Sequence, residues 1–359
     1  MENQRDALQV QVLRLEKDIQ ESKRRELKLQ ADSQQSSALK FERDELRVLY
    51  DRLFAETSTL KQDLTESRAE LAIQRNRLWA LPGHVHSPIT DPSDFFVRQA
   101  VLEHAGTGNL GALEDRFGLA IDEQGQLRLL GWLGEHGSKF PFQPGPSPGW
   151  RFLTQNGHFG HADAALMFAL LLEYTPSHLI ELGSGFSSLL VMDVNDRFLH
   201  HKLELTFVDP HPEELLSLIA PLDAYRARVQ AKRSQELPDK AFKQLQRGDI
   251  LSLDTSHVAK TGSDVCDIIF RILPLLAPGV LVHVHDIFYP FEYPEAWVLQ
   301  DNRSWTEAYI LRAFLQFNNA FRLLFFNDLM MRKYPAQVRV AFPGLDDTNA
   351  SSVWLEKIG

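Results

Sequence analysis

The chain has one cysteine in 359 residues, Cys266, so no disulfide can form within it and a reducing compartment suits it. It has no apolar run near the roughly 20 residues that a membrane span requires. Its opening, Met-Glu-Asn-Gln-Arg-Asp, lacks the apolar core of a secretory signal. The expected location is therefore the cytoplasm. A basic excess is also missing: 38 Lys and Arg stand against 48 Asp and Glu, giving a net charge of −10 and a pI near 5.7. A surface of that sign does not steer toward phosphate backbones or anionic lipid, so no nucleic-acid partner is expected. Finally, neither Pro nor Gly occurs before Pro82 and Gly83. The two strongest helix breakers are thus absent from the first 81 positions.

Those first 80 residues carry 15 basic and 15 acidic side chains, which leaves the acidic excess to the remainder. Apolar residues recur at Leu8, Val12, Leu15 and Ile19, at Leu39, Leu46, Leu53 and Leu60, and at Leu64, Leu71 and Leu78. Spacings of seven, divided into threes and fours, are the seam of a coiled coil. Ser22, Ser33, Ser36 and Ser37 interrupt it, so two helical pieces or one helix with a weak centre are expected. A lone helix of this length has nothing to cover its stripe. Self-association into a homo-oligomer follows, the alternatives being an amphipathic helix folded back on its own domain or a partly disordered arm.

Pro82, Gly83, Pro88 and Pro92 form a linker, and the segment to residue 149 reads as a small accessory subdomain, with a helical pattern from Phe95 to Leu102 and then Leu119 to Leu133 with a turn at Asp122-Glu-Gln-Gly125. Gln143–Gly149, rich in Pro and Gly, is a second break. The expected division is residues 1–80, 81–149 and 150–359. After Trp150 strands and helices alternate as in a doubly wound α/β sheet. Expected strands are Leu179–Leu182, Leu203–Val208, Arg228–Ala231, Ile250–Leu253, Val280–Val284 and Phe321–Phe326, with Val353–Leu355 closing the sheet antiparallel. Helices are expected at Asp163–Tyr174, from Glu213, at Lys240–Gln246, at Ser263–Leu276 and as one long piece at Glu295–Asn318.

The stretch Leu179–Ser188 (Leu-Ile-Glu-Leu-Gly-Ser-Gly-Phe-Ser-Ser) reads as strand, tight turn and helix. Such a turn lies at the carboxyl end of a central strand, where ligands bind. Gly183 and Gly185 leave room for a ligand that a Cβ would exclude, with Ser184 between them and helix-opening amides beyond. The third glycine of a dinucleotide fingerprint would fall at Ser188, and Glu181 precedes the turn. Asp209, at the tip of the next strand, can take two ribose hydroxyls. Glu181 and Asp209 together favour a positively charged nucleoside, which describes S-adenosylmethionine better than a nicotinamide dinucleotide. Asp254-Thr-Ser-His257 and His283-Val-His-Asp286 end two later strands. Adjacent strands would bring Asp254, His257, His285 and Asp286 together as a general base or as an Asp/His metal site, while His283 lies deeper and belongs to the core. Two aromatic segments, Phe288–Pro294 and Gly149–Phe159, read either as lids that pack on sugar or ring faces or as simple loop packing.

This series of motifs, Glu181-Leu-Gly-Ser-Gly185, Asp209, Asp254-x-x-His257, Asp264, Pro278-Gly279 and His285-Asp286, resembles the class I S-adenosylmethionine-dependent methyltransferases. It is most similar to the branch with D-x-x-H and terminal H-D signatures found among bacterial glycan and secondary-metabolite enzymes. The likeness covers roughly Asn156 to Arg332. It implies a Rossmann-like sheet, mostly parallel with the last strand antiparallel, and a cofactor held by Glu181, Gly183, Ser184, Gly185 and Asp209, with Asp249 toward the adenine. It implies a reaction served by His257, His285 and Asp254, with magnesium at Asp254 and Asp286, although His285 stands where some relatives have a carboxylate. The implied activity is O-methylation of a hydroxyl on a saccharide or related small molecule. The rival reading is a catalytically inactive methyltransferase fold serving as a coiled-coil assembly protein.

Overall fold

The structure, a computed structural model, describes residues 2–32, 37–77, 79–105, 118–119, 121–345 and 350–359. It divides into two compact units, residues 1–89 and 90–359.

The first unit is a pair of helices, α1 (Glu2–Asp32) and α2 (Ser37–Arg77). They run antiparallel, as the pairs Glu16–Lys61 at 2.6 Å and Gln9–Arg68 at 3.1 Å show. Val12 and Leu64 are buried between them, and Leu8, Leu15, Ile19, Leu46, Leu53, Leu60 and Leu71 are half-buried along the same seam. The side chain of Leu39, and Leu78 with Ser33 and Ser36, lie outside the described residues. The heptad stripe of each helix is thus met by the other helix of the same chain. Apolar side chains remain exposed elsewhere on the pair, among them Val10, Leu27, Phe41, Val48 and Phe54. No helix of the described residues is long and apolar enough to cross a membrane.

The second unit is built on a six-stranded sheet ordered β2-β1-β3-β4-β6-β5. It contains, in chain order, α3 (Phe95–Ala105), α4 (Glu123–Gly137), α5 (His161–Tyr174), β1 (His178–Leu182), α6 (Phe186–Arg197), β2 (Glu204–Val208), β3 (Ile250–Leu253), β4 (Leu281–His285), α7 (Glu307–Leu315), β5 (Phe321–Phe326), α8 (Asn327–Lys333) and β6 (Ser352–Lys357). Only β6 runs against the others. The central strands are apolar along most of their length because both faces are covered. Leu179 faces a core with α5 and α6, and Ile180 and Leu182 face the core on the other side. From β1 the chain goes outward to β2 and then returns across β1 to β3, so a crevice opens at the carboxyl ends of β1 and β3.

Three expectations on architecture are corrected. Arg228–Ala231 forms no strand; its Gln230 makes a single bridge to Val208, because the chain there is still leaving a left-handed turn at Arg228. The segment before residue 150 is not a separate subdomain. Leu129, Leu130 and Leu133 of α4 enter the sheet's core, and Gln126 accepts from the Phe326 amide of β5. A Cβ on Gly137 would stand 2.0 Å from the Ala341 carbonyl, so α4 packs backbone to backbone on its neighbour. Lastly, Glu295–Asn318 is not one helix. A π-turn at Ala296–Gln300 ends at Asp301, Asn302 turns left-handed at φ 52°, and α7 begins only at Glu307.

Candidate active site

The glycine turn follows β1 directly. Gly183 has φ 84°, and a Cβ there would lie 1.7 Å from the Asp254 carbonyl oxygen. The glycine is therefore demanded by the backbone that follows β3, not by a ligand. Gly185 differs, since a Cβ on it would meet nothing within 4 Å and would point into open space. Ser184 donates to Asp209 Oδ2 through its amide (2.9 Å) and hydroxyl (3.1 Å), and the His211 amide donates to Oδ1 at 2.7 Å. Asp209 is thus locked against the turn, on the wall of a cleft of about 600 Å³ that also includes Gly183, Gln235 and Lys260.

Glu181 is corrected in its role. It is fully buried on the face toward α6 and accepts from Ser187 at 2.7 Å and from Ser188, both in the first turn of α6. Burial pushes its carboxyl up to about 7, and the two hydroxyls oppose that rise. It ties β1 to the helix and lines no cleft, so it cannot mark a ligand as cationic by contact. Asp249 is corrected more sharply. It precedes β3 at the amino edge of the sheet, where Oδ1 accepts from Ser177 and His178 and Oδ2 from Gln246. That edge is one strand length from the glycine turn, and every oxygen is already taken. An adenine role is excluded by place.

The reaction side forms where β3 and β4 end. Adjacent parallel pairing of these strands brings Asp254, His257, His285 and Asp286 to one end of the sheet. His257 Nε2 lies 3.4 Å from Asp254 and 3.6 Å from Asp286, and its Nδ1 meets Glu307 at 2.8 Å. Burial disfavours a charged ring, but the bonds to Asp254 and Glu307 prevail and push His257 up to about 10. Asp254 shows the complement: burial would raise it, yet His285 and His257 hold it down at about 2. Burial lifts Asp286 above the ordinary carboxylate range. His257 and Asp286 both have left-handed backbones, φ 57° and 55°, a strained conformation that clusters at functional sites. His285 is buried, with Nε2 3.4 Å from the His158 carbonyl and 3.6 Å from Asp286. His283 is a core residue, bonded to Ser252 at 3.0 Å.

Glu307 and Trp305 belong to this site and were not anticipated. The Trp305 ring lies 4.3 Å from that of His257, and the His257 carbonyl accepts from the amides of Thr306 and Glu307. The break before α7 delivers all three. Its signal in the sequence is Thr306-Glu307, a helix-start pair inside what otherwise reads as one helix. Of the two aromatic segments, Tyr289, Phe291, Tyr293, Phe152 and Phe159 are buried in the core, so packing accounts for most of both.

Asp254, Thr255 and Ser256 line the cleft beside the glycine turn and also a second cavity of about 1110 Å³ that holds His257, His285 and Asp286. One three-residue wall separates two chambers at the carboxyl edge of the sheet. Residues 180–287 match the family model of a methyltransferase domain. An uncharacterized protein of Archaeoglobus fulgidus is 31% identical over 137 residues, which are 38% of this chain and 60% of that protein. Among solved structures, an SAH-bound methyltransferase of Podospora anserina aligns at 13% identity and a TM-score of 0.36, over 67% of this chain and 98% of its own. Mitomycin 7-O-methyltransferase aligns at 15% identity and a TM-score of 0.29, over 54% and 56%. Similarity of that depth does not specify a shared substrate.

Asp254, His257 and Asp286 each offer a ligand atom within 4.8 Å of the others. The two carboxylates are the oxygen donors that suit a hard divalent cation, and His257, its Nδ1 held by Glu307, turns Nε2 toward them.

Proposed function

We propose that residues 90–359 transfer the methyl group of S-adenosylmethionine to a hydroxyl of a saccharide or related small molecule. The observation that carries this reading is the wall Asp254–Ser256, shared by a cleft suited to a nucleoside and a cavity that ends on His257. Methyl transfer is an in-line displacement, so donor and acceptor must come into direct contact, at the rim where the two chambers share Asp254–Ser256. The nucleoside's ribose would lie at Asp209 and its sulfonium beside the open space at Gly185.

At about 10 His257 already carries a second proton at neutral pH, so it serves as the base only in its neutral form, which a cation on Asp254 and Asp286 would favour by offsetting their charge. In that form the acceptor hydroxyl gives its proton to His257 Nε2, its oxygen bonds the methyl carbon, and the carbon–sulfur pair leaves on sulfur. Glu307 at Nδ1 fixes which nitrogen receives the proton and stabilises the imidazolium formed. Asp254 and Asp286 would hold a divalent cation, magnesium in the first instance, which when bound supplies the positive charge that acidifies a hydroxyl. His285 steadies Asp286 and the His158 loop. The saccharide is supported by the polar cavity alone, because the faces of Trp297 and Trp305 are occupied by Arg303 and His257. The test is transfer of a labelled methyl group to a panel of hydroxylated acceptors. Formation of a base-stable methyl ether supports O-methylation, and an exclusively N- or C-methylated product would overturn it.

A further inference from the structure

We propose that the acceptor cavity contains an anion subsite centred on Arg303, so that the molecule methylated carries a carboxylate or phosphate close to the reacting hydroxyl. This rests on the methyl-transfer reading above and adds the charge of the acceptor to it.

Arg303 is the only Lys or Arg lining the 1110 Å³ cavity among the described residues. Its place is fixed from several sides. The left-handed turn at Asn302 aims it inward, and its amide donates to the Trp297 carbonyl at 2.8 Å. The guanidinium lies 4.2 Å from the centre of the Trp297 ring and 5.0 Å from that of Trp305. Asp301 Oδ2 accepts from Nε at 3.0 Å and lies 3.0 Å from Nη2, so it covers one edge of the fork. Nη1 has no partner among the described residues.

An arginine that served only its exposed pair with Asp301 would gain little from the contact and would not need two indoles. Stacking and the Asp301 bond instead hold the plane still and leave donor N–H groups toward the cavity, the arrangement that recognises a carboxylate or phosphate. Asp301 does not cancel this role, because its side chain keeps 48% of its exposure and is screened by water. The remaining charge of the cavity also sorts the acceptor. The cavity is also lined by Asp163, Asp254 and Asp286, which repel an anion, while Arg303 attracts one. His257 and Arg303 both pack on the Trp305 ring, 4.3 Å and 5.0 Å from its centre, which puts the anion and the hydroxyl within reach of one acceptor molecule.

The experiment titrates the full chain, saturated with SAH, with inorganic phosphate and separately with acetate at constant ionic strength, following tryptophan fluorescence. The expected result is a saturable response to at least one anion, weakened at least tenfold by Arg303→Gln and less by Arg303→Lys, with SAH affinity unchanged in both variants. The stronger of the two anions tells phosphate from carboxylate. No saturable response to either anion, or an equal response in Arg303→Gln, overturns the subsite. Failure of SAH to bind overturns the methyltransferase reading instead, and the anion response of the SAH-free chain still decides the subsite.

Discussion

A carboxylate with no exposure, as at Glu181, must be protonated or hydrogen-bonded, and Glu181 is drawn both ways. Its ordinary value is 4.5 and burial lifts it to about 7 in the folded chain. Between those values the folded state keeps a proton that the unfolded state has lost, so stability falls as pH rises through this window. The loss attributable to Glu181 is about 3 kcal/mol by that linkage. Urea unfolding at pH 5 and pH 7.5 should show Glu181→Gln with a flatter decline than the wild type; equal slopes would contradict the assignment. Gly183→Ala should cost more than about 2 kcal/mol, since it adds left-handed strain to a clash with the Asp254 carbonyl. Both residues are prominent in the sequence, but for a reason that the sequence does not display. Spacing placed them at a ligand-binding turn, whereas the structure turns Glu181 toward α6 and sets Gly183 against a strand tip. Asp249 was misread because an acidic residue before a strand looks the same at either edge of a sheet.

The elements of the site were far more legible than its individual contacts. Apolar strands ending in Asp209, Asp254 and His285-Asp286 gave the carboxyl edge of the sheet, and adjacency of β3 and β4 then brings those tips together. Periodicity could not reveal the break before α7, because Glu295–Asn318 carries helix-compatible residues throughout. Glu307 was hidden there, 50 positions from the histidine it holds. If Glu307 orients His257, Glu307→Gln should lower kcat about 10- to 100-fold with KM for the cofactor unchanged, and His257→Asn should lower it by about 100-fold or more. A Glu307→Gln enzyme as active as the wild type would remove the glutamate from the mechanism. Should Asp254 and Asp286 hold a cation, EDTA abolishes turnover and added magnesium restores it; full activity in chelator leaves those carboxylates as charge partners of His257 and His285.

On the scale of the whole chain, the acidic α/β unit and the charge-balanced helical pair are separate compact bodies. The heptads of the first 80 residues predict helices with an apolar seam, and α1 and α2 are the helices found there. They could not tell a partner in another chain from the second helix of the same chain, since both bury the same stripe. α1 and α2 cover each other and still expose Phe41 and Val48, spaced by seven, so we expect deletion of residues 1–89 to lower the number of chains per particle measured by light scattering. An unchanged number of chains, above one, would place self-association in the second unit. That unit has its own two-sided core, and the cleft at Asp209 is lined by its residues alone. The most direct measurement of the central claim is a calorimetric titration of the protein with S-adenosylmethionine, beside its Asp209→Ala variant. The account predicts stoichiometric binding, weakened about 10- to 100-fold by the loss of a charged ribose partner. No binding to the wild-type protein, or equal affinity in the variant, would contradict it.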